Sequence, residues 1–291
     1  MEITGDGRGL HDEAERAVAR EATSAVAWRE LGRGYQARGA HALALSAFER
    51  AVQLAPRDAM AWFGLGRARL ETGDAKGALE AGQQAVRLAP ERPELRLLLA
   101  RAFGALGLCR QAIPHLEHAV GLDPLWATLP GDLGWAYLAA GEREAAAEAF
   151  ETSLRLEPDQ PALWAALGGC LLKLGRPAQA VHVLETAVFA RPDDGTSWTR
   201  LGCAYFETGR HADAGRAFAR GFEAGNDEPW AWYWAGQNAA VLGDAAVLEK
   251  ARSTLKERDA ALARELEEHI EEQAARTAAG GAVADGSSQA P

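Results

Sequence analysis

Residues 28–56 read WRELGRGYQARGAHALALSAFERAVQLAP. Trp28, Leu31 and Tyr35 fall three and four residues apart, so they share one face of a helix. Gly39 interrupts that pattern with a residue that accepts the left-handed backbone of a helix C-terminus. Ala44 and Phe48 resume the helical period, and Pro56 stops it. The stretch predicts two helices joined by a tight turn, close together because Ala44 is small. One such pair cannot bury its own apolar face, so it calls for neighbours of the same kind.

Stepping outward by 34 residues finds those neighbours. The tryptophan series runs Trp28, Trp62, Arg96, Pro130, Trp164, Trp198 and Trp232. Three residues on comes leucine in six copies, from Leu31 to Leu201, and then mostly glycine, such as Gly32 and Gly66. The turn glycine is present in every copy: Gly39, Gly73, Gly107, Gly141, Gly175, Gly209 and Gly243. Phe48, Leu116, Phe150, Leu184 and Phe218 share the bulky second-helix position, and Pro56, Pro90, Pro124, Pro158 and Pro192 close five copies. No insertion disturbs the register.

These residues resemble the tetratricopeptide repeat family. The tract from Trp28 to Pro56 follows the family pattern at its signature positions, and the resemblance covers about 25–262. It implies an all-α, right-handed superhelical solenoid of about seven helix-turn-helix repeats with terminal capping helices. It also implies that the first helices line a concave groove that binds peptides or proteins. The expected organisation is an N-terminal segment, 1–24, with a capping helix over 8–22, then the solenoid over 25–262. Residues 245–276, acidic in ALARELEEHIEEQ, form the last helix and a polar C-terminal cap, and the Gly-rich tail 277–291 is disordered.

Two copies depart from the pattern. Pro130 stands in the tryptophan position of the fourth, where proline is tolerated only in the first turn. That helix is expected to begin near Leu129 with an altered connection, Trp126 lying four residues upstream. In the seventh copy Arg252 replaces Phe or Leu.

The periodicity also gives a map of the groove. Helical geometry turns unit positions 5, 9 and 12 away from the Trp–Leu–Tyr face. Position 9 reads Arg33, Arg67, Arg101, Trp135, Gly169, Cys203 and Gln237. Three successive arginines would form a ladder rising about 10 Å per step, extended by Arg29. Trp135, Leu138, Leu172, Phe206, Tyr233 and Gln237 continue it as an apolar stretch. Arginine pairs with carboxylates through parallel hydrogen bonds, and aromatic residues anchor interfaces. The expected partner is therefore an acidic or amphipathic peptide or protein, set against the plainer reading of the arginines as a solvated face. Trp230 and Trp234, beside Trp232, read as core.

Other chemistries find little support. The formal net charge of −10 disfavours nucleic acid and anionic membranes as partners. The N-terminus lacks a signal peptide's apolar run, and no segment reads as membrane-spanning, so a cytoplasmic location is expected. Cys109, Cys170 and Cys203 match no zinc or redox spacing and read as small core residues. His115 and His118 lie three apart on a helix but lack a third ligand. No phosphate-binding loop, nucleophile elbow or HExxH is present. No cofactor or metal and no catalytic role are expected. The chain has only two asparagines, Asn226 and Asn238, which disfavours both the Asn/Lys carboxylate clamp and the asparagine ladder of the family. What remains is a protein-binding scaffold or adaptor, with a self-assembling structural protein or an accessory subunit of an enzyme complex as alternatives.

Overall fold

The computed structural model describes residues 6–285, with side-chain surroundings for residues 13–275, and within them every regular element is an α-helix. The chain divides into two units, Met1–Pro158 and Asp159–Pro291. In the first, α1 (Asp6–Arg20) precedes four antiparallel pairs: α2 (Ala25–Ala37) with α3 (His41–Leu54), α4 (Ala59–Glu71) with α5 (Ala75–Leu88), α6 (Pro93–Ala105) with α7 (Cys109–Leu122), and α8 (Thr128–Ala140) with α9 (Arg143–Leu156). The second holds α10 (Pro161–Lys173) with α11 (Pro177–Ala190), α12 (Gly195–Glu207) with α13 (His211–Glu223), α14 (Pro229–Leu242) with α15 (Ala245–Arg258), and then α16 (Ala260–Asp285). Each unit is thus a stack of helix pairs, an all-α repeat solenoid.

The turn glycines act as the sequence predicts. All seven have positive φ, between 67° and 87°. At the end of α2, Gly39 N–H bonds to Gln36 O and Ala40 N–H to Tyr35 O, both at 2.9 Å. This reciprocal pair satisfies two orphan carbonyls and turns the chain back for the second helix.

In five of the seven pairs stacking rests on one bulky apolar second-helix side chain, Phe48, Leu116, Phe150, Leu184 or Phe218. Phe48 is fully buried. A Cβ built on Gly32 of its own first helix would lie 2.9 Å from its ring, and one on Gly64 of the next first helix 2.2 Å. Phe48 therefore occupies space that only glycine leaves open, and it touches two consecutive pairs. Burial of such a ring contributes about 2–3 kcal/mol. The next pair inverts the sizes. Gly82 takes the phenylalanine position, and Leu98 of α6 takes the place of Gly64. Leu98 then fills the gap beside Gly66, 2.8 Å from its virtual Cβ.

The first-helix tryptophan has a second task. Trp28 Nε1 donates to Ala22 O, Trp62 to Pro56 O and Trp198 to Pro192 O, each at 2.9 Å. Arg96 replaces tryptophan without losing the bond, because its Nε donates to Pro90 O at 3.0 Å. Pro130 has no such donor. α8 begins at Thr128, which makes Pro130 its third residue, the last position at which a missing N–H breaks no intrahelical bond. The corresponding helix of the second copy starts one unit position earlier, at Ala59, so the proline has delayed the start of α8 by one residue.

The N-terminal helix belongs to the same pattern. Residues 14–18, AERAV, align at the 34-residue step with 48–52, FERAV. Tyr35 donates to Glu15, twenty residues back, at 3.5 Å. Tyr137 donates to Glu117 at 2.6 Å and Tyr205 to Glu185 at 2.7 Å over the same spacing. α1 is thus a second-type helix, bonded to α2 as other second helices are to the next first helix. Ala14 stands where Phe48 would.

At the other end α16 packs on α14 and α15, burying Leu266 against Trp232, Tyr233, Ala251 and Leu255. Arg252 gives two parallel hydrogen bonds to Glu267, at 2.6 and 2.7 Å. The departure from Phe or Leu there ties α15 to α16 through charge. α16 continues to Asp285, past residue 277 where a disordered tail is expected; Ala278, Ala279, Ala282 and Ala284 favour helix. Residues 1–5 and 286–291, and with them the end of that tail, lie outside the described residues.

The size inversion yields a test. Phe48→Gly is expected to cost about 3 kcal/mol or more, and adding Gly64→Leu to recover at least about 1 kcal/mol through coupling. Urea denaturation of the four members of this cycle would show simple additivity if the two positions did not share one space.

Candidate functional site

The first helices of the first unit carry the arginines. Arg33, Arg67 and Arg101 have side chains 69%, 50% and 58% exposed. Each faces a carboxylate: Arg33 bonds to Glu30 at 3.1 Å, Arg101 to Asp132 of α8 at 3.1 Å, and Arg67 lies 3.7 Å from Glu71. Arg67 also sits 5.8 Å from the centre of the Phe63 ring. Such pairs in solvent are worth about 0–1 kcal/mol, so an incoming anion can compete for the guanidinium.

Arg29 is placed differently. Its side chain is only 24% exposed and bonds at 2.6 Å to Asp58, the N-cap of α4. Asp58 also accepts from the backbone N–H groups of Met60 and Ala61, capping α4. Arg29 is therefore a tie between α2 and α4 rather than a groove donor. Unit position 5 lies in the seam between neighbouring first helices, where Leu97 and Thr199 are also buried.

Three clefts run between the first helices. The one between α2 and α4, about 240 Å³, is lined by Arg29, Arg33, Gln36, Met60, Phe63 and Arg67. The next, between α4 and α6, is about 530 Å³ and has Phe63, Arg67, Leu70, Leu97, Leu98 and Arg101 in its walls. The third, between α6 and α8, is about 270 Å³, with Arg101, Cys109, Asp132 and Trp135. Arg67 and Arg101 each border two clefts. A further cleft of about 590 Å³, between α1 and α2, is lined mainly by alanines and valine with Glu13, Glu30 and Arg33.

Trp135 is 45% exposed, with its ring edge-on to Phe150 at 5.2 Å between centres. One side is core and the other is available. Leu138 is half-buried in the same unit. Beside it, burial and the hydrogen bond to Glu117 push the Tyr137 phenol up to about 12, which keeps that tie neutral and donating. His115 stacks on Phe103 at 5.6 Å, and burial, with Arg96 and His118 nearby, pushes its pKa down. Among the described residues no group of three or more His, Cys, Asp or Glu is placed to hold a metal ion.

In the second unit the groove map needs correction. Tyr233 and Gln237 are buried. Tyr233 Oη bonds to Glu265 and pairs with His269 Nδ1, both 3.1 Å away on α16. Burial and Glu265 push its pKa up to about 12. Position on a first helix does not reveal that α16 packs against Tyr233. Cys203, at position 9, is buried too. Leu172 and Phe206 are half-buried against the cluster of Cys203, Ala214, Phe218 and Ala235. Phe206 meets Trp234 edge-on at 5.7 Å. Trp230 and Trp234 both pack against that cluster, in keeping with their reading as core. Cys170 is also buried, whereas Cys109 is half-buried at a cleft.

The position-9 ladder left out Phe63, Leu70, Leu97 and Trp126, which line the central cleft. Three of them were within reach of the repeat, because Phe63 and Leu97 fall at position 5 and Leu70 at position 12. Trp126 was not, since it lies outside the first-helix pattern.

The comparisons agree with this architecture. Tetratricopeptide repeat families match residues 29–93 and 137–201. Those two tracts are thus similar to tetratricopeptide repeats. No curated protein sequence matches it. Among solved structures it resembles YrrB, described as a protein of this class with an unusual peptide-binding site. The two are 19% identical over 63% of this chain and 95% of YrrB, with a TM-score of 0.56. It also resembles the Cut9–Hcn1 hetero-tetramer of APC/C, at 21% identity and a TM-score of 0.60 over 81% of this chain. That match spans 46% of the relative, under half its length. PilF of Pseudomonas aeruginosa matches at 17% identity, over 74% of this chain and 99% of its own, with a TM-score of 0.60. At these identities the likeness concerns the fold.

The two kinds of arginine separate by experiment. Arg29→Ala is expected to lower stability by about 1 kcal/mol and Arg33→Ala by under about 0.5 kcal/mol. Equal shifts in thermal melting would contradict the distinction between seam and groove.

Proposed function

We propose that this chain is a non-catalytic scaffold or adaptor that docks an acidic, amphipathic peptide or protein segment on the first helices of its first unit. The coarse role, protein interaction, fits the repeat fold and its relatives. The finer reading is carried by one observation. Arg33, Arg67, Arg101 and Trp135 alternate with three clefts along α2, α4, α6 and α8. Exposed guanidinium groups at every step can each take a carboxylate in two parallel hydrogen bonds. The clefts between them offer apolar surface for anchoring side chains, and Trp135 adds a half-exposed aromatic.

YrrB's peptide-binding site supports a peptide as the ligand class, as an analogy of fold. Among the described residues no helix is long and apolar enough to cross a membrane. We take the working compartment to be the cytoplasm.

Replacing Arg33, Arg67 and Arg101 together by Ala tests the reading. Quantitative mass spectrometry of proteins retained on the wild-type and triple-variant chains, at about 50 and 300 mM salt, is the measurement. The wild type is expected to lose retained partners steeply as salt rises, and the variant to lose them already at low salt. Retention and salt response unchanged in the variant would remove the arginines from the binding surface. Trp135→Ala is expected to weaken retention with helicity by circular dichroism intact; a collapse of the helical signal would make Trp135 a core residue.

A further inference from the structure

The three clefts are not equivalent. That between α4 and α6 has about twice the volume of either neighbour, 530 Å³ against 240 and 270 Å³. This lies within the range of pockets that enclose small ligands, about 300–1,000 Å³. Its floor is apolar, because Leu97 and Leu98 of α6 are buried, and Phe63 and Leu70 of α4 form the facing wall.

The remaining wall is Trp126, from the turn before α8. At that unit position the other copies carry Ser24, Asp58, Arg92, Gln160, Asp194 and Glu228, all polar. Asp58 and Asp194 cap the helices that follow them. Trp126 has no such duty, because the proline-delayed start of α8 makes Ala127 the N-cap. Its ring packs half-buried against the cluster of Leu97, Leu129 and Leu133.

Charge frames this apolar space. Arg67 and Arg101 stand at its rim on successive helices. Arg101 gives one N–H to Asp132, and Arg67 lies beyond hydrogen-bond reach of Glu71. Glu71 is engaged from the other side by Gln36 and His41, at 3.1 and 3.0 Å. Glu94, also at the rim, is bridged by Arg92 at 2.7 Å. A guanidinium carries five N–H donors, so both arginines keep donors for an incoming carboxylate while the local acids are already matched.

We propose that this cleft is the specificity pocket of the groove, taking one leucine-sized or larger apolar side chain from a partner segment that carries carboxylates on both sides of it. The proposal rests on the groove reading above and narrows it. Adjacent first helices are about 10 Å apart, which an extended segment spans in about three residues. The acids therefore lie within two or three residues of the anchor.

The test uses the full chain and fluorescence anisotropy with labelled nine-residue peptides. Three share Asp/Glu flanks and differ only in a central Phe, Leu or Ala; a fourth has Phe between Lys flanks. The Phe and Leu peptides are expected to bind at least about tenfold more tightly than the Ala and Lys-flanked ones, a gap of about 1.4 kcal/mol. Trp126→Ala is expected to erase that preference and leave the Ala peptide's affinity unchanged, which a general loss of fold would not do. Leu70→Trp, which fills the cleft from the other wall, is expected to exclude Phe as well, and serves alone if Trp126→Ala fails to fold. Equal binding of the acidic peptides, or a preference that survives both variants, overturns the pocket and leaves the groove reading standing. Absence of peptide binding overturns the pocket as well, and it reaches the groove reading only if the triple arginine variant also retains every wild-type partner.

Discussion

The contact on which the stack depends is a bulky second-helix side chain seated between two consecutive first helices. Phe48 against Gly32 and Gly64 is its clearest case. A side chain that touches two pairs at once makes the second pair a condition for burying the first. Without the neighbour, the side of the Phe48 ring that faces Gly64 would meet water, and about 1 kcal/mol or more of its burial would be lost. Local pairing and long-range stacking are thus the same interaction, which is why repeat arrays gain stability by nearest-neighbour terms.

Sizes are conserved across this contact even where residues are not. Gly82 and Leu98 reverse the roles of Phe48 and Gly64, and the seam remains filled. Arg96 keeps the hydrogen bond of an indole with a guanidinium nitrogen. Arg252 exchanges an apolar contact for a paired carboxylate on α16. In the first two cases the replacement meets the same local requirement, volume or donor, by other chemistry, whereas Arg252 makes a new tie to α16. Pro130 is the exception, because no side chain restores its N–H. There the backbone moves instead, and the shifted start of α8 brings Trp126 beside the central cleft.

The groove face follows different rules from the seam. A charge in the seam, such as Arg29, loses solvent and is held by a partner that also caps a helix. Charges one turn further along, at Arg33 and Arg67, keep their water and make loose pairs that cost little to exchange. A chain with a net charge of −10 presents here a row of cations. Each of those cations faces a carboxylate, so what this face offers a partner is exchangeable guanidinium donors rather than a net positive field.

The sequence by itself determined the helix pairs, their 34-residue period, the turn glycines and the residues that pack pair on pair, because all of these depend on contacts within a few turns of helix. It also carries the register of α1, in AERAV, a match to FERAV that is easily passed over because Ala14 replaces the bulky residue. Tertiary structure alone decided which of the outward positions face solvent. Arg29 and Arg33 lie one turn apart on the same helix, yet one is clasped by Asp58 and the other is not. Tyr233 and Gln237 occupy groove positions by periodicity and are buried, Tyr233 against Glu265 and His269 of α16. Periodicity reports the direction of a side chain from its own helix axis. What stands in that direction is set by neighbouring helices, and for Trp126 by a one-residue shift in the start of α8.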